Sequence, residues 1–218
     1  NGVFVKDGKL AVIQNGYGSL VAYGYYEAKT SIVVYDISDR SKPIMERNVT
    51  VDGYYFSSRM IGDWVYAVVN EPAYLTNNNT VNLPKIQSGR VTATISPSSI
   101  YHPELPDYYH YFTNIVAVNI LDVSQKPTIE SFLLGATSCI YVSVENIYLT
   151  SAGTNIHKIS IKDGNINQVA NGLVPGYVLN QFSMDEYNGF FRIATTEWTA
   201  NGTINNLYVL NSNLQIVG

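Results

Sequence analysis

Residues 31–53 read SIVVYDISDRSKPIMERNVTVDG, and residues 114–135 read NIVAVNILDVSQKPTIESFLLG. Each stretch opens on a β-branched, alternating run, passes an Asp-bearing polar turn, reaches Lys-Pro and ends in a second run. Alternation of this kind is the mark of a strand with one face buried. Proline cannot donate to a strand ladder, so the Lys-Pro step belongs between two strands rather than inside one. Shorter forms of the same unit recur at 154–172 (TNIHKISIKDGNINQVANG) and 205–218 (NNLYVLNSNLQIVG).

A strand pair precedes each unit: 2–14 (GVFVKDGKLAVIQ), 54–70 (YYFSSRMIGDWVYAVVN), 138–152 (SCIYVSVENIYLTSA) and 177–196 (YVLNQFSMDEYNGFFRIATT). Within the pairs, Asp7-Gly8, Gly62-Asp63, Glu145-Asn146 and the stretch from Asp185 to Gly189 mark tight turns. Gly, Asn and Asp tolerate the positive φ that hairpin turns require. No window carries a helical apolar stripe. The chain is therefore expected to be all-β, in four units at about 1–53, 54–135, 136–176 and 177–218, with an insertion at 71–111 in the second. Repeats of roughly 40 residues with four short strands each point to a β-propeller of four-stranded antiparallel blades. About four blades lie in this chain, which suits a whole propeller or a segment of a larger one. One blade cannot bury both faces, so blades stack.

Composition narrows the function. Of 218 residues, 46% are hydrophobic and only 14% charged, and 18 are tyrosines. Low charge with abundant Asn, Ser, Thr and Tyr suits an extracellular β-protein. The net charge of −4 and the lack of a basic cluster argue against nucleic acid, which needs focused Lys and Arg. No run approaches 18 apolar residues, so no membrane span is read, and no leader pattern is legible. The start at Asn1 is expected to reflect a processed chain or a piece of a longer one. The single cysteine, Cys139, excludes an intrachain disulfide and is expected to be a buried, inert thiol.

The runs VVYDISDRSKP, SSRMIGDWVYAVVNEP, NIHKISIKDG and VPGYVLNQFSMDEYNGFFRIATT resemble a family of secreted β-propellers distantly related to WD40 repeats. The resemblance covers about 30–218, and VLNQFSMDEYNG is its most specific block. It implies a propeller fold and a cell-surface or secreted location, as in archaeal and bacterial members. It implies no reaction.

Several residues remain as site candidates. Asp185 and Glu186 are read as part of a hairpin turn pairing with Arg59 or Arg192. A calcium site built on Asp185 and Glu186 is kept open, although a calcium loop wants more oxygens at alternating positions. Glycoside hydrolysis needs two carboxylates facing each other across a sugar, and strand neighbours face opposite ways. A hydrolase built on this pair would need a further carboxylate from another blade. Ser57, Ser58, Arg59, Ser143, Asn180, Gln181 and Ser183 fall on the innermost strands, lining a polar channel or a ligand site at its mouth. The insertion holds Tyr74, Tyr101, His102, Glu104, Asp107, Tyr108, Tyr109, His110 and Tyr111. Without a zinc-like spacing, it reads either as a loop packed over its own blade or as a recognition surface. Tyrosine gives large contact area at small entropic cost. Tyr101, His102, Tyr108, Tyr109 and His110, with Arg59, are the ligand-binding candidates. His157, on an alternating strand, reads as structural.

Three sequons begin at Asn48, Asn78 and Asn201, no more than this composition gives by chance. Asn78 and Asn201 fall in polar loops where a glycan would fit. No nucleophile elbow, Cys-His signature or phosphate loop is present. The expected function is a non-catalytic extracellular propeller, binding protein or glycan at the cell surface or serving as a scaffold. The alternative is a self-associating structural subunit of a surface layer or filament.

Overall fold

The structure, a computed structural model, describes residues 2–21, 25–76, 78–102, 110–135, 137–151 and 154–218. Among them are seventeen strands and no α-helix. No helix among the described residues is long and apolar enough to cross a membrane. The chain divides into two compact units: Asn1–Leu134 with Asp163–Asn165, and Gly135–Lys162 with Ile166–Gly218.

The first unit holds two sheets. β1 (Gly2–Lys6), β2 (Lys9–Val21), β3 (Tyr25–Asp36) and β4 (Ile44–Asp52) form an antiparallel meander. β5 (Tyr54–Ile61), β6 (Trp64–Pro72), β9 (Tyr111–Asn119) and β10 (Thr128–Leu134) form the second sheet, in the order β10-β9-β6-β5. The insertion between β6 and β9 supplies β7 (Lys85–Ser88) and β8 (Val91–Thr94). As a loop packed over its own blade, one of its two readings, it would stay with the second sheet. Instead β7 pairs with β4, in the register Thr50↔Gln87, and makes the first sheet six-stranded. The alternating Lys85–Thr94 run and the positive φ of Gly89 (60°) make this hairpin. Inward residues Ala11, Ile13, Ile32, Val34, Val49 and Val51 of the first sheet join Val65, Ala67, Val69, Val116 and Val118 of the second in one buried core.

The second unit repeats the plan. β11 (Cys139–Val142), β12 (Asn146–Ser151), β13 (Asn155–Lys162) and β14 (Asn165–Leu173) form one sheet. β15 (Met184–Tyr187), β16 (Phe190–Thr199) and β17 (Gly202–Leu210) form the other. The last residues pair along its edge: Val217 N–H donates to Val209 O (2.8 Å) and Val209 N–H to Gly218 O (2.7 Å). Tyr148 stacks on Phe191 (4.0 Å between centroids, 6° between planes) among Ile156, Val174, Met184, Ile193 and Leu210. Cys139 packs against this core half-buried rather than fully buried, and burial pushes its thiol pKa up.

The repeat read from the sequence has a local cause. In the Asp-bearing turn of the first unit of repeat, Asp39 Oδ1 accepts from Ser41 N–H (3.0 Å) and Ser41 Oγ–H (2.6 Å). Asp122 does the same for Ser124 (2.9 and 2.6 Å). The side chain closes each turn in the manner of a backbone carbonyl.

A buried threonine bonds a left-handed glycine carbonyl where the chain leaves a sheet in each unit. Gly53 is the single residue between β4 and β5, at φ +112°. Its N–H donates to Ala28 O (2.8 Å), and its carbonyl accepts from the buried Thr30 hydroxyl (3.0 Å). In the second unit Gly176, at φ +93°, accepts from the buried Thr154 hydroxyl in the same way. A Cβ on Gly53 would stand 2.7 Å from Asn70 O and 2.9 Å from Val69 Cγ1. Gly53→Ala is therefore expected to lose about 3 kcal/mol of stability in chemical denaturation, from left-handed strain and overpacking together. Gly62→Ala, also at positive φ but with nothing within 4 Å of its Cβ, is expected to lose only about 1 kcal/mol. Equal losses at the two positions would contradict the close approach.

Candidate functional site

The Asn188-Gly189 step carries φ of 51° and 78°, joining Tyr187 to Phe190 in a two-residue hairpin. Two successive positive φ values are what a type I′ turn needs. Asp185 and Glu186 thus lie on strand β15, not in the turn as expected. They point to opposite faces. Asp185 faces outward and pairs with Arg192, its direct cross-strand neighbour. Glu186 faces the third sheet, where Asn146 Nδ2 donates to both carboxylate oxygens (3.0 and 3.1 Å). Lys158 Nζ stands 3.9 Å away, and Glu186 N–H donates to the Tyr141 hydroxyl (3.1 Å). Burial first, and then the Glu186 charge, hold the Tyr148 hydroxyl far above its ordinary pKa. Arg59 Nη1 donates to Ser58 O (2.9 Å) from the edge strand β5. No group of three His, Cys, Asp or Glu side chains fit to hold a metal occurs among the described residues.

The insertion candidates scatter. Tyr101 is half-buried, edge-on to Phe132 at 5.9 Å between centroids. Its N–H donates to Ser131 O and its carbonyl accepts from Leu133 N–H, fastening the insertion to β10. His102 and His110 are exposed. Tyr108 and Tyr109, with Glu104 and Asp107, lie outside the described residues. Ser57 and Ser58 sit on β5, Ser143 in the β11–β12 turn, and Gln181–Ser183 in a 3-10 turn before β15. Asn180 caps that turn, accepting from Phe182 N–H (2.9 Å). His157 is buried, with Nδ1 2.9 Å from Asn171 Oδ1.

Sequence reasoning missed one cluster, at the root of the insertion. Glu71, near the end of β6, accepts from Asn82 Nδ2 through Oε1 (2.8 Å), while its buried Oε2 has no hydrogen-bond partner among the described residues. Asn82 also donates to Pro72 O (3.1 Å) and accepts from Tyr74 N–H (2.7 Å), so it clamps the 72–82 loop. Nearby, Lys29 pairs with Asp52 and with Glu27 (3.3 Å). Burial, and then the Asp52 charge, push the Glu71 carboxyl up to about 7. Adjacent Glu-Pro offered no sign of this, because the burying residues come from strands distant in sequence.

The profile of the family described as Beta propeller domain matches residues 1–218. An uncharacterized protein of Methanocaldococcus jannaschii is 44% identical over 68 residues, 30% of this chain and 10% of that protein. An uncharacterized protein of Archaeoglobus fulgidus is 46% identical over 66 residues, 29% of this chain and 10% of that protein. The chain thus matches about a tenth of the length of these relatives. No solved structure matches it.

Two predictions separate the acids. Asp185→Ala, removing half of an exposed ion pair, is expected to cost less than about 1 kcal/mol. Glu186→Ala, stripping partners from a largely buried carboxylate, is expected to cost about 2–3 kcal/mol. Urea titrations of the two variants give the comparison. For Glu71, the folded protein holds a proton more tightly than the unfolded chain, whose Glu titrates near 4.5. Stability from this group is therefore full below pH 4.5 and falls as pH rises toward 7, by up to about 3 kcal/mol. Glu71→Gln is expected to flatten that portion of the stability–pH profile, and an unchanged profile would refute the assignment.

Proposed function

This chain belongs to the beta propeller domain family, and on that premise we propose that it is a non-catalytic module working outside the cell, at the cell surface, as a binding or scaffold platform. The observation that carries this reading is the outward face of the fourth sheet. Tyr187 and Phe190 are directly opposed across the β15–β16 ladder, and Leu207 lies opposite Ala194 on the same face. All three are exposed, Leu207 to 66%. Arg192 lies over the Tyr187 ring at 5.4 Å. A pleated, largely apolar surface with a single ion pair fits the sheet surface of another protein chain. The separation of Asp185 and Glu186 onto opposite faces supports a role without catalysis. Low charge and a surface rich in Asn, Thr and Tyr support the extracellular location.

A second reading has its own support. The first sheet also turns apolar side chains outward: Val3, Val5 and Met45 are exposed. Two apolar faces on one chain are what a head-to-tail assembly uses. The occupant of each face would then be another copy, and the protein a subunit of a surface layer or filament.

Phe190→Ser with Leu207→Ser is expected to abolish partner capture, or assembly seen by light scattering, while leaving the thermal midpoint within a few degrees. Binding and assembly that survive the double substitution would remove this face from the proposal. Protease added to intact cells is expected to digest the chain. Protection until lysis would overturn the location.

A further inference from the structure

The β16–β17 hairpin carries an open aromatic pair. Trp198 is 75% exposed. It stacks on Tyr177 (6.2 Å between centroids, 16° between planes), and Tyr177 is held beside β16 by a two-way backbone bridge to Thr196 (2.9 Å each way). Two parallel rings thus stand open to solvent at the end of the sheet. Two open rings side by side offer an apolar platform on which a ligand can pack.

The sequon Asn201-Gly202-Thr203 lies on the same hairpin. Thr199 pairs with Gly202 and Trp198 pairs with Thr203, so the indole and the sequon threonine share one face. Ala200 and Asn201 form the tip, and Gly202 takes φ +121°. Thr199 Oγ–H donates to Gly202 O (2.8 Å) and accepts from Asn201 N–H (3.3 Å), fixing the turn from below. Asn201 and Thr203 are exposed.

The other two sequons differ. Asn48 is in the middle of β4, paired with Val33 on one side, its carbonyl accepting from Gly89 N–H on the other. Its Thr50 hydroxyl is engaged by Ser31 (3.0 Å). Asn78 is exposed in a turn closed by Thr76 and Thr80, with their hydroxyls 2.8 Å apart. Only at Asn201 do an accessible turn and a bare aromatic pair coincide among the described residues.

We propose that Asn201 is an N-glycan acceptor whose first sugar packs on the Trp198–Tyr177 ring pair. This rests on the chain being exported. In the transfer, Asn201 Nδ2 bonds to the anomeric carbon of a sugar carried on a polyprenyl phosphate. The carbon–oxygen bond to the phosphate breaks, the lipid phosphate leaves with its electron pair, and the amide gives up one proton. Nothing is oxidised or reduced. The apolar face of a pyranose then lies over the indole, as sugars do on aromatic rings, and covers the exposed surface. The glycan is thereby held as part of the fold rather than as a free antenna.

The test uses the whole chain, secreted from a host with N-glycosylation and carrying a terminal tag with its own sequon. Peptide mass analysis reads occupancy at Asn201, and melting before and after enzymatic deglycosylation reads the contact. Asn201 is expected to be occupied, with a melting midpoint lowered by sugar removal. Trp198→Ala is expected to cut occupancy severalfold and to abolish the midpoint difference. Trp198→Phe should restore both. Bare Asn201 on chains whose tag is glycosylated would overturn the proposal, as would a midpoint difference indifferent to Trp198→Ala. Protease protection in native cells would instead sink the surface location, and it leaves these readouts untouched.

Discussion

The first sheet hands the chain to the second through almost no linker, and the hydrogen bond from a buried threonine to a left-handed glycine is what permits it. At Gly53 the chain leaves β4 and enters β5 within one residue. Only a residue without Cβ can turn there with Asn70 O at the distance observed. The Thr30 hydroxyl satisfies the carbonyl that this turn removes from any ladder. Thr154 and Gly176 repeat the arrangement in the second unit. Thr113, buried in the TNI run of β9, donates through its hydroxyl to Asn70 Oδ1 (3.1 Å). Core packing between neighbouring sheets follows from this joint, since it decides which face of the incoming strand meets the outgoing one.

Charge is used sparingly and mostly to fasten edges. Lys9 bonds both Asp36 (2.8 Å) and Glu46 (2.7 Å), tying three strands of the first sheet. With the Ser38 N–H, this holds the Asp36 carboxyl down to about 2. Arg47 reaches from β4 to the carbonyls of Val123 and Gln125, so the second Asp-bearing turn is latched to the first sheet. Glu71 is the exception, a carboxyl buried with one oxygen unpaired among the described residues. A group so placed favours its neutral form, which makes the root of the insertion sensitive to mild changes in pH.

The fold class was legible because period-2 alternation and turn residues are local properties. Asp7-Gly8 and Asn188-Gly189 make hairpin turns that their side chains favour. The insertion was only half legible. Its Lys85–Thr94 hairpin carries strand alternation around Ser88-Gly89, but nothing local tells which edge it will join. That choice was made by β4, whose outer edge lay open in the first sheet. The fate of Asp185 and Glu186 was likewise tertiary: the register gives Asp185 to Arg192, but Asn146 and Lys158 reach Glu186 from another sheet. The Trp198–Tyr177 pair escaped notice because the two residues stand 21 positions apart and meet through a bridge that no periodicity announces.

The β6–β9 ladder closes at Pro72↔Tyr111, so the central pair of the second sheet can form only after the whole insertion has been gathered into a loop. The entropy of closing such a loop grows slowly with length, roughly as 1.5 RT times the logarithm of the residue number. It must still be met before the ladder returns any energy. Docking β7 on β4 shortens the free chain that remains to be closed. The first sheet, made of consecutive hairpins, is thus positioned to fold early and to act as a template. The second sheet inherits from it a slower, non-local step in folding.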